Sequence, residues 1–432
     1  MKNFIKKIIV YILQLEAQLV LRKYQPKVIA VTGSVGKTLT KDAIYAALKT
    51  SFFIRKSQKS FNSEIGIPLT ILGCANAWNN PLKWIKNIFE GFALIFLKNH
   101  YPKWLVLEVG ADRPGDIENI TKWLKPDVVV ITAFGEVPVH VEFFNSVDQL
   151  VEEKSYLVKA LKKDGILITS IDDKQALDMK NKTNSRVMTF GFKEGAQVKA
   201  SNEQILYDTE GKGVVQGITF KVDYGNNSLP ARLNGVFGRN HIHSALAGLA
   251  VGLSQDLNMV TMLDSLSTYN TPPGRLKLLP GIKNSFILDD TYNSSPIAAE
   301  AAIKALQEIE LKGKRIAVLG DMLELGKYSV EEHKKLGEMA AAVCDVLVTV
   351  GLRAKDITQG ALVGGLNEEN IYQFEEAAEA GKFLESLITE GDVILVKGSQ
   401  GVRMEKTVEE IMLHPENKHR LLVRQDVEWL SR

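Results

Sequence analysis

A chain of 432 residues, 45% hydrophobic and 24% charged, has material for two or three folded domains, which excludes a disordered or low-complexity chain. Net charge is only +2, yet residues 1–60 hold twelve Lys/Arg against two acids, Glu16 and Asp42. A solvated basic face is the default reading; anionic lipid, nucleic acid or a phosphorylated ligand are the sharper ones.

Residues 1–24 are predicted to form one amphipathic helix, with Phe4, Ile5, Ile8, Ile12, Leu15 and Leu19 at helical spacing and Pro26 ending it. The apolar run Ile8–Leu13 is too short for a signal peptide, and no small-residue cleavage site follows it. No stretch reaches the roughly 20 apolar residues that span a bilayer. Val28–Val31 reads as a strand, followed by a Gly-rich turn and a helix over Lys37–Leu48. Pro81–His100, rich in Trp, Phe, Ile and Leu, reads as a very apolar helix. Burial in the core is its expected fate; the alternative is a membrane or partner surface shared with helix 1–24.

Trp104–Val109, Asp127–Thr132 and Ile166–Ser170 read as buried strands separated by helical patterns, which argues for a mostly parallel sheet. Residues 197–235, with Gly211, Gly213, Gly217 and Gly225, read as a β-rich excursion before a helix around Ala245–Leu253. Thr271-Pro272-Pro273-Gly274 is a linker signal. Beyond it Phe286–Asp289, Arg315–Leu319, Val346–Val350 and Val393–Val396 restart the β/α rhythm. The expected fold is α/β: an N-terminal helix (1–25), a P-loop-type central domain with a mostly parallel sheet (26–271) and a Rossmann-like α/β domain (272–432). Cys74 and Cys344, the only cysteines, supply neither a zinc cluster nor a disulfide framework and fit the reducing cytoplasm.

Gly33-Ser34-Val35-Gly36-Lys37-Thr38 lies between the first strand and its helix. Backbone N–H groups of such a turn, together with the helix N-terminus, attract phosphate. Lys37 can reach the β/γ-phosphates of ATP and the Thr38 hydroxyl can bind Mg²⁺. Val31 stands where the longer P-loop pattern has Gly, so the motif is a shortened Gly-x-x-Gly-Lys-Thr.

This shortened loop resembles that of the Mur ligases, and further segments continue the resemblance in the family's order over Pro26–Arg432. They are Phe61-Asn62-Ser63-Glu64-Ile65-Gly66-Ile67-Pro68-Leu69-Thr70, Leu107-Glu108-Val109-Gly110-Ala111, Glu152-Glu153-Lys154, Gly238-Arg239-Asn240-His241, Gly274-Arg275-Leu276, Asp289-Asp290-Thr291-Tyr292-Asn293, Leu319-Gly320-Asp321-Met322-Leu323-Glu324-Leu325-Gly326 and Lys397-Gly398-Ser399-Gln400. The resemblance implies a second Mg²⁺ on Glu108, His140 and a carbamylated Lys154. It implies adenine near His241, although Asn240-His241 is swapped relative to the family pattern and Ser244 replaces a later Asn. It places Arg275 and Asp290 at the nucleotide, and Asn62, Asn293, Asp321 and Lys397 at substrate.

The implied activity is ATP-dependent amide-bond formation through an acyl phosphate, in the branch that joins D-alanyl-D-alanine to a muramyl peptide. Only residues 1–25 precede the first strand, too few for the domain with which that branch holds the UDP end of its substrate; helices 1–24 and 81–100 are expected to fill its place. A Mur ligase with a different or lipid-linked substrate and a non-catalytic nucleotide-binding module are the competing readings. Zinc-bearing relatives need four cysteines, and this chain has two.

Overall fold

A computed structural model describes residues 2–58, 61–207, 215–310 and 312–430. Gly211 and Gly213, and the side chains of Phe4 and Ile5, lie outside that described part. The first half of the chain runs α1 (Lys2–Tyr24), β1 (Lys27–Thr32), α2 (Lys37–Leu48), β2 (Ile54–Lys56), α3 (Gly66–Leu72), α4 (Pro81–Phe96) and β3 (Trp104–Glu108). It continues through α5 (Asp116–Thr121), β4 (Val128–Ile131), α6 (Val147–Lys159), β5 (Ile166–Ser170), α7 (Lys174–Asp178) and β6 (Arg186–Gly191). The hairpins β7 (Val198–Tyr207), β8 (Val215–Tyr224) and β9 (Asn227–Asn234) follow, then α8 (Arg239–Leu253) and α9 (Met259–Ser267).

These strands form one sheet in the order β2-β3-β1-β4-β5-β6-β7-β8-β9, parallel from β2 to β7 and antiparallel in the two hairpins. β3, β4 and β5 are buried at every position. Strands covered on both faces need apolar residues throughout, which is why they read as continuous runs in the sequence. One face is covered by α2, α8 and α9. The other carries α1, α3, α5 and α6, whose Leu13, Ile67, Ile117 and Leu150 share one core. Helix α1 therefore joins the first domain's core through Leu13, Ala17 and Val20 instead of standing apart as a separate segment.

The second sheet comprises β10 (Lys277–Pro280), β11 (Phe286–Asp290), β12 (Arg315–Gly320), β13 (Val346–Val350), β14 (Ile371–Phe374) and β15 (Val393–Lys397). Its order is β10-β11-β15-β12-β13-β14, with only β10 antiparallel. Helix α10 (Pro296–Glu308) follows β11, its N-terminus capped by Ser295. The strand periodicity predicted both sheets, but not the short or partly exposed β2, β6, β10 and β14, whose mixed burial leaves no clear pattern.

The outer helices depart from expectation. In α1 the predicted apolar stripe points outward: Ile8, Leu15 and Leu19 are exposed, while Leu13, Glu16, Ala17 and Val20 are buried. Helix α4, expected in the core, buries only Asn87 and Gly91. Leu82, Ile85, Phe89, Phe92 and Phe96 face away from the protein. Composition could not foresee this, because apolar content says that a face is sticky without saying what lies against it.

Candidate active site

In both sheets the carboxyl ends of parallel strands carry the polar loops, as open α/β sheets do. Strands β3, β1 and β4 lie side by side and deliver Glu108, the Gly33–Thr38 turn and the loop to His140 at one edge. Strands β11, β15 and β12 deliver Tyr292 and Asn293, Gln400, and Glu324 at the opposing edge. The two edges enclose a cleft of about 350 Å³.

Gly33 has φ +144° and Gly36 has φ +83°. A Cβ at Gly33 would fall 2.0 Å from the Thr132 hydroxyl, so the turn has this shape only with glycine. The first N–H groups of α2 have no acceptor inside the helix and lie at the cleft wall beside Gly36, Lys37 and Thr38. Lys37 folds over the turn, its Nζ donating to the carbonyls of Gly33 (3.0 Å) and Ser34 (3.2 Å). Burial is the main cause that lowers its pKa; Glu108 opposes that shift and Arg275 adds to it.

Thr38 is the meeting point. Its hydroxyl donates to Glu108 Oε2 at 3.0 Å, and Arg275 Nη2 from the second domain reaches its oxygen at 3.1 Å. Asn62 Nδ2 holds the other Glu108 oxygen at 3.3 Å. The Arg275 guanidinium stacks on Tyr292, 3.8 Å from the ring centre. Among the described residues no three His, Cys, Asp or Glu side chains gather into a metal site of their own. Thr38 and Glu108 nevertheless offer hard oxygens beside the phosphate turn, the donor type Mg²⁺ takes when phosphate completes its shell.

His140 closes the cleft. Its Nδ1 lies 2.8 Å from Glu324 Oε2 across the domain boundary, and its Nε2 lies 3.7 Å from Asp112. That contact holds the Glu324 carboxyl below its usual range. His140 (φ 68°) and Glu324 (φ 65°) both adopt the left-handed backbone, which fixes the direction in which each side chain leaves its loop.

Lys154 lies behind the turn, 2% exposed, donating to Gly33 O at 2.8 Å and Ser34 Oγ at 3.0 Å. Burial first, and then Lys37, hold its pKa well below the lysine range.

A profile of the Mur ligase middle domain matches residues 31–252, more than half the chain. The chain belongs to the Mur ligase family. A second family profile, the Mur ligase glutamate ligase domain, matches residues 274–400. The UDP-N-acetylmuramoyl-tripeptide–D-alanyl-D-alanine ligase of Bacillus subtilis is 29% identical over 93% of this chain and 79% of that protein. The enzyme of the same name from Escherichia coli is 27% identical over 88% and 76%. Among solved structures, MurF from Thermotoga maritima in complex with ADP superposes with a TM-score of 0.74 at 28% identity, covering 93% of this chain and 83% of that one. MurF from Acinetobacter baumannii gives 0.75 at 26%, covering 92% and 79%.

In this Mur ligase cleft, Ser34, Val35, Gly36, Lys37, Thr38, Asn62, Glu108, His140, Arg275 and Asn293 come together as the sequence predicted. Six predicted residues are not on the wall: Gly33 within the turn, Lys154 behind it, and four more. His241 is buried, its Nε2 2.7 Å from the Arg275 carbonyl, and burial pulls its pKa down to about 4. It buckles α8 to the domain junction and does not face the cleft. Asp290 and Lys397 form a buried ion pair of 2.6 Å. Lys397 also donates to Asn293 O (2.9 Å), and Asp290 accepts from Leu276 N (3.1 Å), so the pair braces Asn293 and the linker. Asp321 accepts from Ala354 N at 2.8 Å and holds a loop in place.

Sequence reasoning assigned no role to Asp112, Tyr292, Ser294, Ser295 or Glu324, which line the cleft together with Gln400, read in the sequence as standing where the family commonly has Arg. The usable signal was position: each lies a few residues past the carboxyl end of a strand.

Proposed function

We propose that this Mur ligase joins D-alanyl-D-alanine to the terminal carboxylate of a UDP-N-acetylmuramoyl-tripeptide, with ATP as the energy source. The observation that carries the reading is the contact of Arg275 from one domain with Thr38 of the phosphate turn in the other, 3.1 Å apart beside Glu108. A guanidinium, an ammonium and helix N–H groups converge where phosphoryl charge is transferred. The relatives' names and the Leu319–Gly326 segment support the choice of substrates.

In the first step a peptide carboxylate oxygen attacks the γ-phosphorus. The bond to the β–γ bridging oxygen breaks, and ADP leaves with its electron pair. Lys37 and Arg275 neutralise the charge that builds on the transferred group. In the second step the amine of the dipeptide attacks the acyl carbon. The bond to the phosphate oxygen breaks, inorganic phosphate departs, and the nitrogen loses its proton to base. Thr38 and Glu108 would hold Mg²⁺, which supplies charge neutralisation to the phosphates. Contacts such as His140–Glu324 join the domains over the reactants, and exclusion of water protects the acyl phosphate from hydrolysis.

Lys154 carries a separate part of the proposal. An amine must be neutral to attack CO₂, and burial favours the neutral form of Lys154. Addition to CO₂ with loss of a proton gives a carbamate, a carboxylate-like group suited to a second Mg²⁺ with His140 and Glu108. A nucleotide-linked substrate and two buried free thiols, Cys74 and Cys344, suit the cytoplasm.

The test is phosphate release from ATP with the tripeptide precursor and D-alanyl-D-alanine, each omitted in turn. Release that requires both, with the joined pentapeptide as product, supports the reading. Release independent of the dipeptide overturns it.

A further inference from the structure

Helices α1 and α4 pack against one another on the outside of the first domain, away from the cleft-lining residues. Helix α4 is built to stand without a cover. Asn80 caps its N-terminus by accepting from Lys83 N (3.1 Å), and Pro81 opens its first turn. At the other end Lys23 Nζ donates to the carbonyls of Leu94, Ile95 and Leu97 at 2.9, 2.9 and 2.6 Å, and the Tyr24 hydroxyl to Leu94 O at 2.9 Å. Its inner face sits close on α1: a Cβ at Gly91 would fall 2.2 Å from Glu16 Oε2. Its other face is open, with Leu82 75%, Phe89 69% and Phe96 77% exposed and Ile85, Phe92 and Leu97 beside them. Helix α1 adds exposed Ile8, Tyr11, Leu15 and Leu19.

The charge around this apolar surface is mainly positive, with Glu64 set 3.8 Å from Lys6 and Glu428 near Leu82 and Lys83 as neighbouring acids. Residues 2–24 and 81–100 contain eight Lys/Arg and two acids. One of those acids, Glu16, is buried, and the other, Glu90, lies 3.5 Å from Lys86. The apolar side chains stand on a convex helix, where a folded partner would need a matching trough. A fluid bilayer interface conforms to a ridge, accepts Phe and Leu at the acyl boundary, and attracts lysines through anionic headgroups. Among the described residues no helix is long and apolar enough to cross a membrane, so the geometry is that of a helix lying in the plane.

We infer that the α1–α4 face docks this ligase on an anionic membrane surface, with α4 seated among the headgroups and Lys83, Lys86 and Lys98 at its flank. The surface is independent of the substrate assignment, since none of its residues belongs to the cleft.

The experiment is co-sedimentation of the full chain with vesicles of equimolar phosphatidylglycerol and phosphatidylcholine, and with phosphatidylcholine alone. The protein is expected to pellet with the anionic vesicles at low salt, to release as salt screens the charge, and to stay in solution with the neutral ones. Replacing two exposed residues together, Ile85→Glu and Phe89→Glu, is expected to weaken vesicle binding about tenfold or more, with circular dichroism and ATP-dependent phosphate release unchanged. Wild-type protein that stays in solution with anionic vesicles at low salt overturns the inference, as does a double variant that still pellets. A wild-type dimer by sedimentation equilibrium that the double variant converts to monomer, without vesicle binding by either, assigns the face to a second copy and also overturns it.

Discussion

The interdomain cleft and the α1–α4 seam each bury an ionisable group, and they treat it in opposite ways. At the cleft, Lys154 is buried but donates to Gly33 O and Ser34 Oγ, and its neighbours Lys37, Thr38, Glu108 and Arg275 form one connected set. At the seam, both oxygens of Glu16 are buried and find no hydrogen-bond partner among the described residues. Burial alone lifts its pKa to about 7. A buried amine held by hydrogen-bond partners is kept for chemistry; a carboxyl without them costs stability whenever it ionises. Substitutions at the cleft should therefore change turnover with little effect on folding, and substitution of Glu16 should do the reverse.

The largest effect is expected for Lys37→Ala, which removes an ammonium directed at transferred phosphate. Phosphate release should fall by about 10³-fold or more, with the melting temperature nearly unchanged. A drop of less than tenfold in a folded variant would break the phosphate-turn assignment.

Lys154→Ala should likewise lose activity, and short carboxylic acids should restore part of it by standing in for the carbamate. Full activity without rescue would place Lys154 in a purely structural role. Arg275→Ala should lower kcat about 10²-fold. Arg275→Lys should recover little of that, because an ammonium cannot both stack on Tyr292 and reach Thr38 in the same way.

Glu16→Gln is the smallest effect and the sharpest test of the contrast. The folded-state pKa of Glu16, about 7, lies above its usual 4.5. The folded form then retains a proton that the unfolded chain gives up, so stability falls as pH rises from about 4.5 and the full cost is present above about 7. Glu16→Gln should raise unfolding free energy at pH 8 by about 1–3 kcal/mol, leave it unchanged at pH 4, and leave turnover alone. Thermal denaturation at the two pH values reads this directly. Equal gains at both would mean that packing, not ionisation, sets the cost.

Much of the cleft was legible because its residues follow backbone rules. A turn that needs glycine at φ +144° and +83° must show Gly33 and Gly36 in the sequence. Loops after parallel strands gather at one edge, so Glu108 and Asn293 could be placed by position alone. The surroundings that the sequence could not show were those set by a partner distant in the chain. Lys397 and Asp290 are 107 residues apart, and neither motif announces the ion pair they form. His241 and Arg275 meet through a backbone carbonyl that no motif advertises. Glu324 was passed over because its partner, His140, belongs to the other domain.

The long buried strands, the helices that follow them and the phosphate turn were determined by the sequence itself, since hydrophobic period and glycine requirements act over a few residues. Which face of α1 is buried, that α4 packs on the core by one face only, and which polar residues brace the cleft instead of lining it were decided only by tertiary structure. Those outcomes depend on what packs against each side chain, and periodicity describes one element at a time.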